Sequence, residues 1–436
     1  MTPFVAPSLL TLSEVSAVFC LLLILLVPFA GAGLALINSG LGRSRSAAHA
    51  MIGALCVTAV AALVYVIVGF AWQGAAGRPD HGLVVAGKTW GWIAAEPFFL
   101  RGLRLDLSPA ALVALLQMFS VGLAGMIPLS SGADRWRLGA ICASTALLAG
   151  WTYPLFAHWA WGGGWLAQLG ANCGLGRGFV DGGGSSTIQV VGGVTALSIT
   201  WILGPRRGKF SAEGMPVALP GHNVVVVLLG CVFAWIGWIA LNSAGAMLFL
   251  GVESGRAVLI AVNTTLCAAA SGLTAAVVTR ARFGRPDASL IANGWIAGLV
   301  ASSAAAALLK PAAAMIVGGV AGILVVWVAD FLEFRLAIDD PGGAVSVHAV
   351  GGLWGVLAVA LLADAGPRGQ WLAQLVGIAT LLGFVLPLSY GLNWLLDRVY
   401  RQRVAREGEL QGMDLFELGA GAYPELDIHG DEFLQR

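Results

Sequence analysis

The chain has 436 residues, of which 58% are hydrophobic and only 11% are charged, and its mean hydropathy is +0.84. A soluble domain of this length needs a more polar surface, so the composition predicts an integral membrane protein. The net charge of +1 argues against nucleic-acid binding, and six cysteines without C-x-x-C spacing indicate neither a metal site nor a disulfide framework.

Apolar runs of about 20 residues are long enough to cross a bilayer as helices. Eleven runs are predicted, centred near residues 26, 60, 120, 148, 196, 233, 267, 299, 323, 354 and 385. Most Lys and Arg residues lie in the connections on the same side as the C-terminus, which places the N-terminus outside and the C-terminus inside. The predicted fold class is an all-α membrane protein with eleven transmembrane helices over residues 1–399 and a hydrophilic tail over 400–436.

Two short patterns recur along the chain. Asp181 precedes Gln189 by eight residues and Asp340 precedes His348 by eight residues, in both cases at the start of an apolar helix that continues with a Gly-Gly pair. The first and sixth runs both contain an Asn-Ser pair near their ends. These matches predict two inverted five-helix repeats plus one further helix, with a polar site near mid-membrane between the repeats.

Gln189 and His348 are the candidate side chains for that site. Polar groups inside a span are costly and usually functional. A histidine exchanges protons near neutral pH, whereas a glutamine amide only donates and accepts hydrogen bonds. For His348 a pore role is favoured over an interhelical hydrogen bond. For Gln189 alone, a pore role and an interhelical hydrogen bond are equally favoured. The matching spacing before His348 then favours the pore role.

Three aspartates and one tryptophan lie near helix ends. Asp181, Asp339 and Asp340 precede apolar helices, where a carboxylate binds backbone N–H groups and complements the helix dipole. Helix capping is favoured for all three, although a buried Asp181 also favours a cation in the pore. Trp161 lies beside three glycines that leave its ring uncovered, so it is either an interfacial anchor or a cation–π surface for a small cation.

Taken in order, these motifs resemble the ammonium transporter (Amt/Mep/Rh) family. They are Gly33 to Leu41, Gln117 with Ala133-Asp134-Arg135, His158 to Gly164, Asp181 to Gly193, Gly221-His222-Asn223, Gly237 to Asn242, Asp339 to His348, and Gly412-Met413-Asp414 with Tyr423 in the tail. The resemblance implies a multi-pass homotrimer of the cell membrane (inner membrane) with one pore per subunit for ammonium or ammonia. It also implies that a PII-type regulatory protein docks on the cytoplasmic face in many members, and that the tail is regulatory.

The resemblance also assigns the pore positions, where this chain departs from the family. Gln189 occupies the position of the first of two paired histidines, and His348 is the second. Ser120 and Leu241 occupy the positions of two stacked phenylalanines that close the external side. Phe119 is adjacent to the first of these positions and substitutes for the missing ring if the helix rotates slightly.

The external recruitment site is the second place where the chain departs. Trp161 and Asp181 are kept, but Gly245 stands where the family has a serine. The expected function is ammonium or ammonia transport with an altered proton relay. The alternatives are a non-conducting ammonium sensor and a channel for another small solute such as carbon dioxide, water or methylamine. No nucleophile-base set or cofactor loop indicates an enzyme.

Overall fold

The computed structural model describes residues 12–363 and 369–423. Its long helices are α1 Glu14–Leu41, α2 Ser44–Gln73, α3 Pro109–Ser131, α4 Leu138–Ala160, α5 Ser185–Leu203, α6 Val224–Phe249, α7 Ser254–Phe283, α8 Ala288–Ser302, α9 Pro311–Leu336, α10 Val345–Leu362 and α11 Gln370–Val399. Within the described ranges, ten of these are long and apolar enough to span a membrane, and the exception is the 15-residue α8. The prediction of a helical membrane protein is confirmed. Each predicted centre falls within one helix, in order.

Several helices begin at a residue that satisfies free backbone N–H groups. The side chains of Ser13, Asn223 and Asp287 accept a hydrogen bond from the backbone N–H three residues later, at 3.2, 3.1 and 2.9 Å, and so cap α1, α6 and α8. Pro109 and Pro311 open α3 and α9, where a missing N–H costs nothing. These local signals explain why the spans begin where they do.

Helices α5 and α10 cross with their backbones in contact. Each begins with a wide π-helical turn, Ser185–Val190 in α5 and Val345–Val350 in α10. A Cβ added to Gly193 would lie 2.3 Å from the backbone nitrogen of Ala349, and one added to Gly352 would lie 2.4 Å from a carbonyl in the first turn of α5. Only glycine permits this approach, which sets the two wide turns side by side.

A β-hairpin lies between α2 and α3, as an exception to the all-α prediction. Strand β1, Asp80–Val85, pairs antiparallel with β2, Lys88–Ala94. The two-residue turn is Ala86-Gly87, with φ of 53° and 73°. Because every residue of β1 is exposed, this strand has no buried face and carries no alternating apolar signal in the sequence.

Candidate functional site

Gln189 and His348 meet where α5 crosses α10. His348 Nδ1 lies 2.8 Å from Gln189 Oε1, and both side chains are buried. With the amide oxygen as acceptor, Nδ1 carries the proton and Nε2 keeps its lone pair. The structure thus brings together the two residues that the mirrored spacing singled out.

The glutamine leaves one polar group unsatisfied. Gln189 Nε2 is buried and has no hydrogen-bond partner among the described residues. An unpaired buried donor costs about 1–3 kcal/mol. The pair therefore has one free amide donor and one imidazole acceptor, and the amide does not titrate. A relay made of two imidazoles cannot form here.

Asp181 directs its carboxylate at the start of α5. Oδ1 accepts from the backbone N–H of Gly184 at 2.9 Å, and Oδ2 accepts from those of Ser186 and Thr187 at 2.9 Å each. The hydroxyls of Ser186 and Thr187 also donate to Oδ2. One donor just before α5 and four in its first turn thus stabilise the buried negative charge.

Trp161 lies beside Asp181, and one face of its ring is covered. Its Nε1 donates to the backbone oxygen of Asp181 at 2.6 Å, and its ring stacks on Phe249 with centroids 4.2 Å apart and planes 6° from parallel. The expectation that neighbouring glycines leave the ring uncovered is wrong for this face. The sequence reading missed Phe249, the last residue of α6. Phe249 could have been found from its position four residues after Gly245, because residues four apart lie on the same face of a helix.

Gly245 packs directly against the loop that precedes α5. A Cβ at this position would lie 2.4 Å from the carbonyl oxygen of Gly182 and 3.2 Å from the Cα of Gly183. The hydroxyl that the resemblance places here therefore has no room without movement of the loop. Gly183 is equally close to α6, since its own added Cβ would lie 2.4 Å from Asn242 Oδ1.

The two positions assigned to the outer constriction are buried. Ser120 donates its hydroxyl to the carbonyl of Leu116 at 2.8 Å, and Leu241 is 1% exposed. Phe119 instead lines an apolar groove of about 460 Å³ between α1, α2 and α3. Leu55 of that groove is 71% exposed on the outer surface of the helices. Phe119 thus lines a groove on the outer surface of the helices, and its substitution for the missing ring stays a prediction.

The two aspartates before α10 have different partners. Asp340 Oδ2 accepts from the backbone N–H of Val345 at 2.7 Å, and Oδ1 accepts from the Ser131 hydroxyl at 2.6 Å. Asp339 does not cap the helix as expected. Its carboxylate accepts three hydrogen bonds from Arg206 at 2.8, 2.9 and 3.0 Å. The Arg206 guanidinium donates to both oxygens of this carboxylate, as a fork, so the carboxylate binds Arg206 instead of the first N–H groups of α10.

Asp339 belongs to a buried ionic cluster of Arg43, Asp134, Arg135, Arg206 and Asp339. Asp134 accepts from Arg43 at 3.0 Å and from Arg206 at 3.1 Å. Burial raises the pKa of Asp134 and of Asp339, but the surrounding arginines hold both pKa values below their usual range. Burial lowers the pKa of Arg135 to about 10, and Asp339 opposes this shift. Removal of one partner would leave a buried charge uncompensated.

The described part of the tail docks on the same end of the helices. Asp414 accepts from the backbone N–H groups of Ala48 and His49 at 3.1 and 2.7 Å, near the start of α2. Glu417 lies 2.9 Å from His49 Nε2 and accepts from the first N–H of α4 at 2.8 Å. Glu409 accepts from Arg403 at 2.9 Å. The sequence predicts a hydrophilic tail but none of these partners.

Comparison with known proteins gives relatives along almost the whole chain. The sequence profile of the Ammonium Transporter Family matches residues 18–423. Ammonium transporter Amt2 of Archaeoglobus fulgidus is 33% identical over 437 residues, covering 94% of this chain and 89% of that protein. An ammonium transporter of Bacillus subtilis is 29% identical over 421 residues, covering 93% and 97%.

Solved structures share the fold. A structure named Sensor Amt Protein superposes with a TM-score of 0.82 at 29% identity, covering 93% of this chain and 98% of that chain. Mep2 of Candida albicans superposes with a TM-score of 0.77 at 24% identity, covering 91% and 87%. Because the family profile spans nearly the entire sequence, the chain belongs to the ammonium transporter family.

Proposed function

We propose that the chain transports ammonium or ammonia across the cell membrane along a path that passes Gln189 and His348. The observation that carries this proposal is the family match over residues 18–423. The buried pair at the α5–α10 crossing supports the position of the path. Trp161 and Asp181 form the recruitment end in this proposal, next to Gly245. Ser120 and Leu241 line its outer constriction.

The pair itself favours a neutral solute. Moving a charged ion into a dry, low-dielectric interior costs tens of kcal/mol in the Born limit, so a path must remove the proton or replace the hydration shell. Ammonia both donates and accepts hydrogen bonds, and it therefore matches the free amide donor of Gln189 and the Nε2 acceptor of His348. Ammonium has only donors. We therefore expect ammonia at the pair, with little net charge transferred.

Two substitutions test the assignment of this path. In cells that lack their own ammonium transporters, Gln189→Ala and His348→Ala should each reduce uptake of isotope-labelled ammonium. The matched control is His81→Ala, because His81 is exposed on strand β1. Uptake unchanged by both pair substitutions would reject the path while leaving the family assignment intact.

The architecture within this function is also a proposal. Eleven transmembrane helices form two inverted five-helix repeats plus one, with the N-terminus outside and the C-terminus inside. Contacts at two of the five proposed counterpart pairs support this: Gly193 of α5 packs on α10, and a Cβ on Gly33 of α1 would lie 2.6 Å from the Gly230 carbonyl of α6. The exposed Cys173 should react with an impermeant maleimide from outside intact cells. Labelling only after permeabilisation would reverse the orientation.

The assembly and the tail complete the proposal. The family resemblance supports a homotrimer, which multi-angle light scattering of the purified protein in detergent tests. It also supports a transmembrane domain over 1–399, a cytoplasmic regulatory tail over 400–436 and a PII-type partner at the tail face, which co-purification tests. Residues 424–436 of this tail lie outside the described part of the chain.

One observation favours a second function, ammonium sensing without conduction. Phe249 covers a face of Trp161 at the proposed recruitment end, and a Cβ at Gly245 would lie 2.4 Å from the Gly182 carbonyl. A matched relative is named a sensor. Saturable ammonium binding to purified protein, combined with uptake equal to that of empty cells, would favour sensing over transport.

A further inference from the structure

The loop between β2 and α3 presents bulky apolar side chains that no part of the described chain covers. Phe98, Phe99 and Leu105 are 45%, 59% and 76% exposed. Leu100 and Leu103 of the same loop pack against the hydrophobic core and fix its position. We call residues 97–105 the Phe99 turn. Its exposed side chains form a surface on the outside of the helical body.

The Phe99 turn lies beside the end of α2, a helix long and apolar enough to span a membrane. After Glu96, the segment Phe98–Leu100 packs against Tyr65–Gly69 of α2. Those residues precede the end of α2 at Gln73 by four to eight positions, which at 1.5 Å per residue is about 6–12 Å along the helix. The Phe99 turn therefore lies beside the last nine residues of α2.

The surroundings of the turn are those of a membrane interface. Phe98 contacts Trp72 edge to face at 5.6 Å, and Trp72 contacts Trp151 of α4 at 5.7 Å. Trp151 is 41% exposed on the outer surface of the helices. Tryptophan and other aromatic side chains concentrate where bilayer hydrocarbon meets the headgroups. The apolar surface of the turn thus continues the exposed apolar surface of α2 and α4.

The backbone of the turn is held in an unfavourable conformation that exposes Phe99. Phe99 and Leu100 have φ of 60° and 53°, the left-handed region that bulky residues rarely adopt. The side chain of Leu100 is packed against the protein, whereas that of Phe99 is not. A lipid environment supplies the burial that the isolated chain does not give Phe99.

Two arginines complete the surface. Arg101 and Arg104 are exposed and alternate with the apolar residues of the turn. A guanidinium group binds phosphate oxygens through paired N–H donors. We propose that the Phe99 turn inserts Phe98, Phe99 and Leu105 into the adjacent lipid leaflet while Arg101 and Arg104 bind phospholipid phosphates. This anchor is independent of the solute transported and of which end of the protein faces outward.

Photocrosslinking tests the insertion in whole membranes. The photoreactive residue p-benzoylphenylalanine replaces Phe99, a conservative change in shape. Leu63, which is 64% exposed on α2, serves as the lipid-facing control, and Val84, 74% exposed on β1, serves as the control in water. Mass spectrometry should find phospholipid adducts at positions 99 and 63 and none at 84. Adducts at 63 without any at 99, or crosslinks from 99 to a second protein chain, would overturn the proposal.

A second comparison tests the phosphate contacts. In vesicles of phosphatidylglycerol, Arg101→Gln combined with Arg104→Gln should reduce the lipid adduct at position 99 several-fold. Arg177→Gln is the matched control, because Arg177 is also exposed but lies in a different loop, between α4 and α5. An adduct yield unchanged by the double substitution would refute the role of the arginines. Ammonium uptake should be retained in both variants, which separates this proposal from the transport function.

Discussion

Restoring the family's serine at position 245 is expected to damage this protein. A Cβ at Gly245 would lie 2.4 Å from the Gly182 carbonyl, whereas real Cβ contacts are not seen below 3.0 Å, so the loop must move by about 0.6 Å. Asp181 and Trp161 resist that movement, because Asp181 binds the N–H groups of Ser186 and Thr187 in α5 and Trp161, directly after α4, binds the Asp181 carbonyl. Overpacking of this kind typically costs about 1–3 kcal/mol.

The assay combines thermal unfolding in detergent with ammonium uptake. Gly245→Ser and Gly245→Ala carry the same Cβ, so both should lower the unfolding temperature by several degrees, and Gly245→Ser should not increase the apparent affinity for ammonium. Gly391→Ser is the matched control, because nothing lies within 4 Å of a Cβ at Gly391 in α11. A Gly245→Ser protein with native stability and tighter ammonium binding would refute the packing argument.

Three further predictions concern the pair, the entrance and the buried charges. Gln189→His should increase the current of proteoliposomes after an ammonium jump, because a second imidazole can carry protons; a current no larger than the native one would contradict this. Phe249→Ala should raise initial uptake by uncovering Trp161, and Phe249→Leu should raise it less; equal rates in all three proteins would exclude an entrance role. The pKa values of Asp134 and Asp339 lie below their ordinary range. Their stabilisation is therefore present above the ordinary aspartate pKa of about 3.9 and lost as pH falls through the lowered values. The unfolding temperature should fall steeply in that acid range. An unfolding temperature that does not change with pH there would contradict the role of the two aspartates.

The spans and the central pair could be predicted because their signals are local. A run of apolar residues marks a membrane helix without knowledge of its neighbours. The matched spacing from Asp181 to Gln189 and from Asp340 to His348 reflects two helix starts of similar form. Each of these features depends on a stretch of only about 20 residues.

The remaining contacts depend on parts of the chain that are far apart. Arg206 and Asp339 are separated by 133 residues, and His49 and Glu417 by 368. Asp339 looks like a helix cap in its own segment, and only the fold brings Arg206 to it. Phe249 is related to the recruitment site in the sequence only by its position one turn after Gly245, and its ring meets Trp161 only when α6 packs beside the end of α4. Sequence pattern alone therefore assigned a plausible but wrong partner to Asp339 and none to Phe249.

The glycine contacts at the α5–α10 crossing restrict how a solute can pass along the path that we propose. With Gly193 against Ala349 and Gly352 against the opposite backbone, the two helices cannot rock apart without losing those contacts and the bond between Gln189 and His348. An alternating-access cycle would break them at every turnover. The crossing therefore favours a static conduit over a moving carrier, with a transport rate that depends only weakly on membrane fluidity.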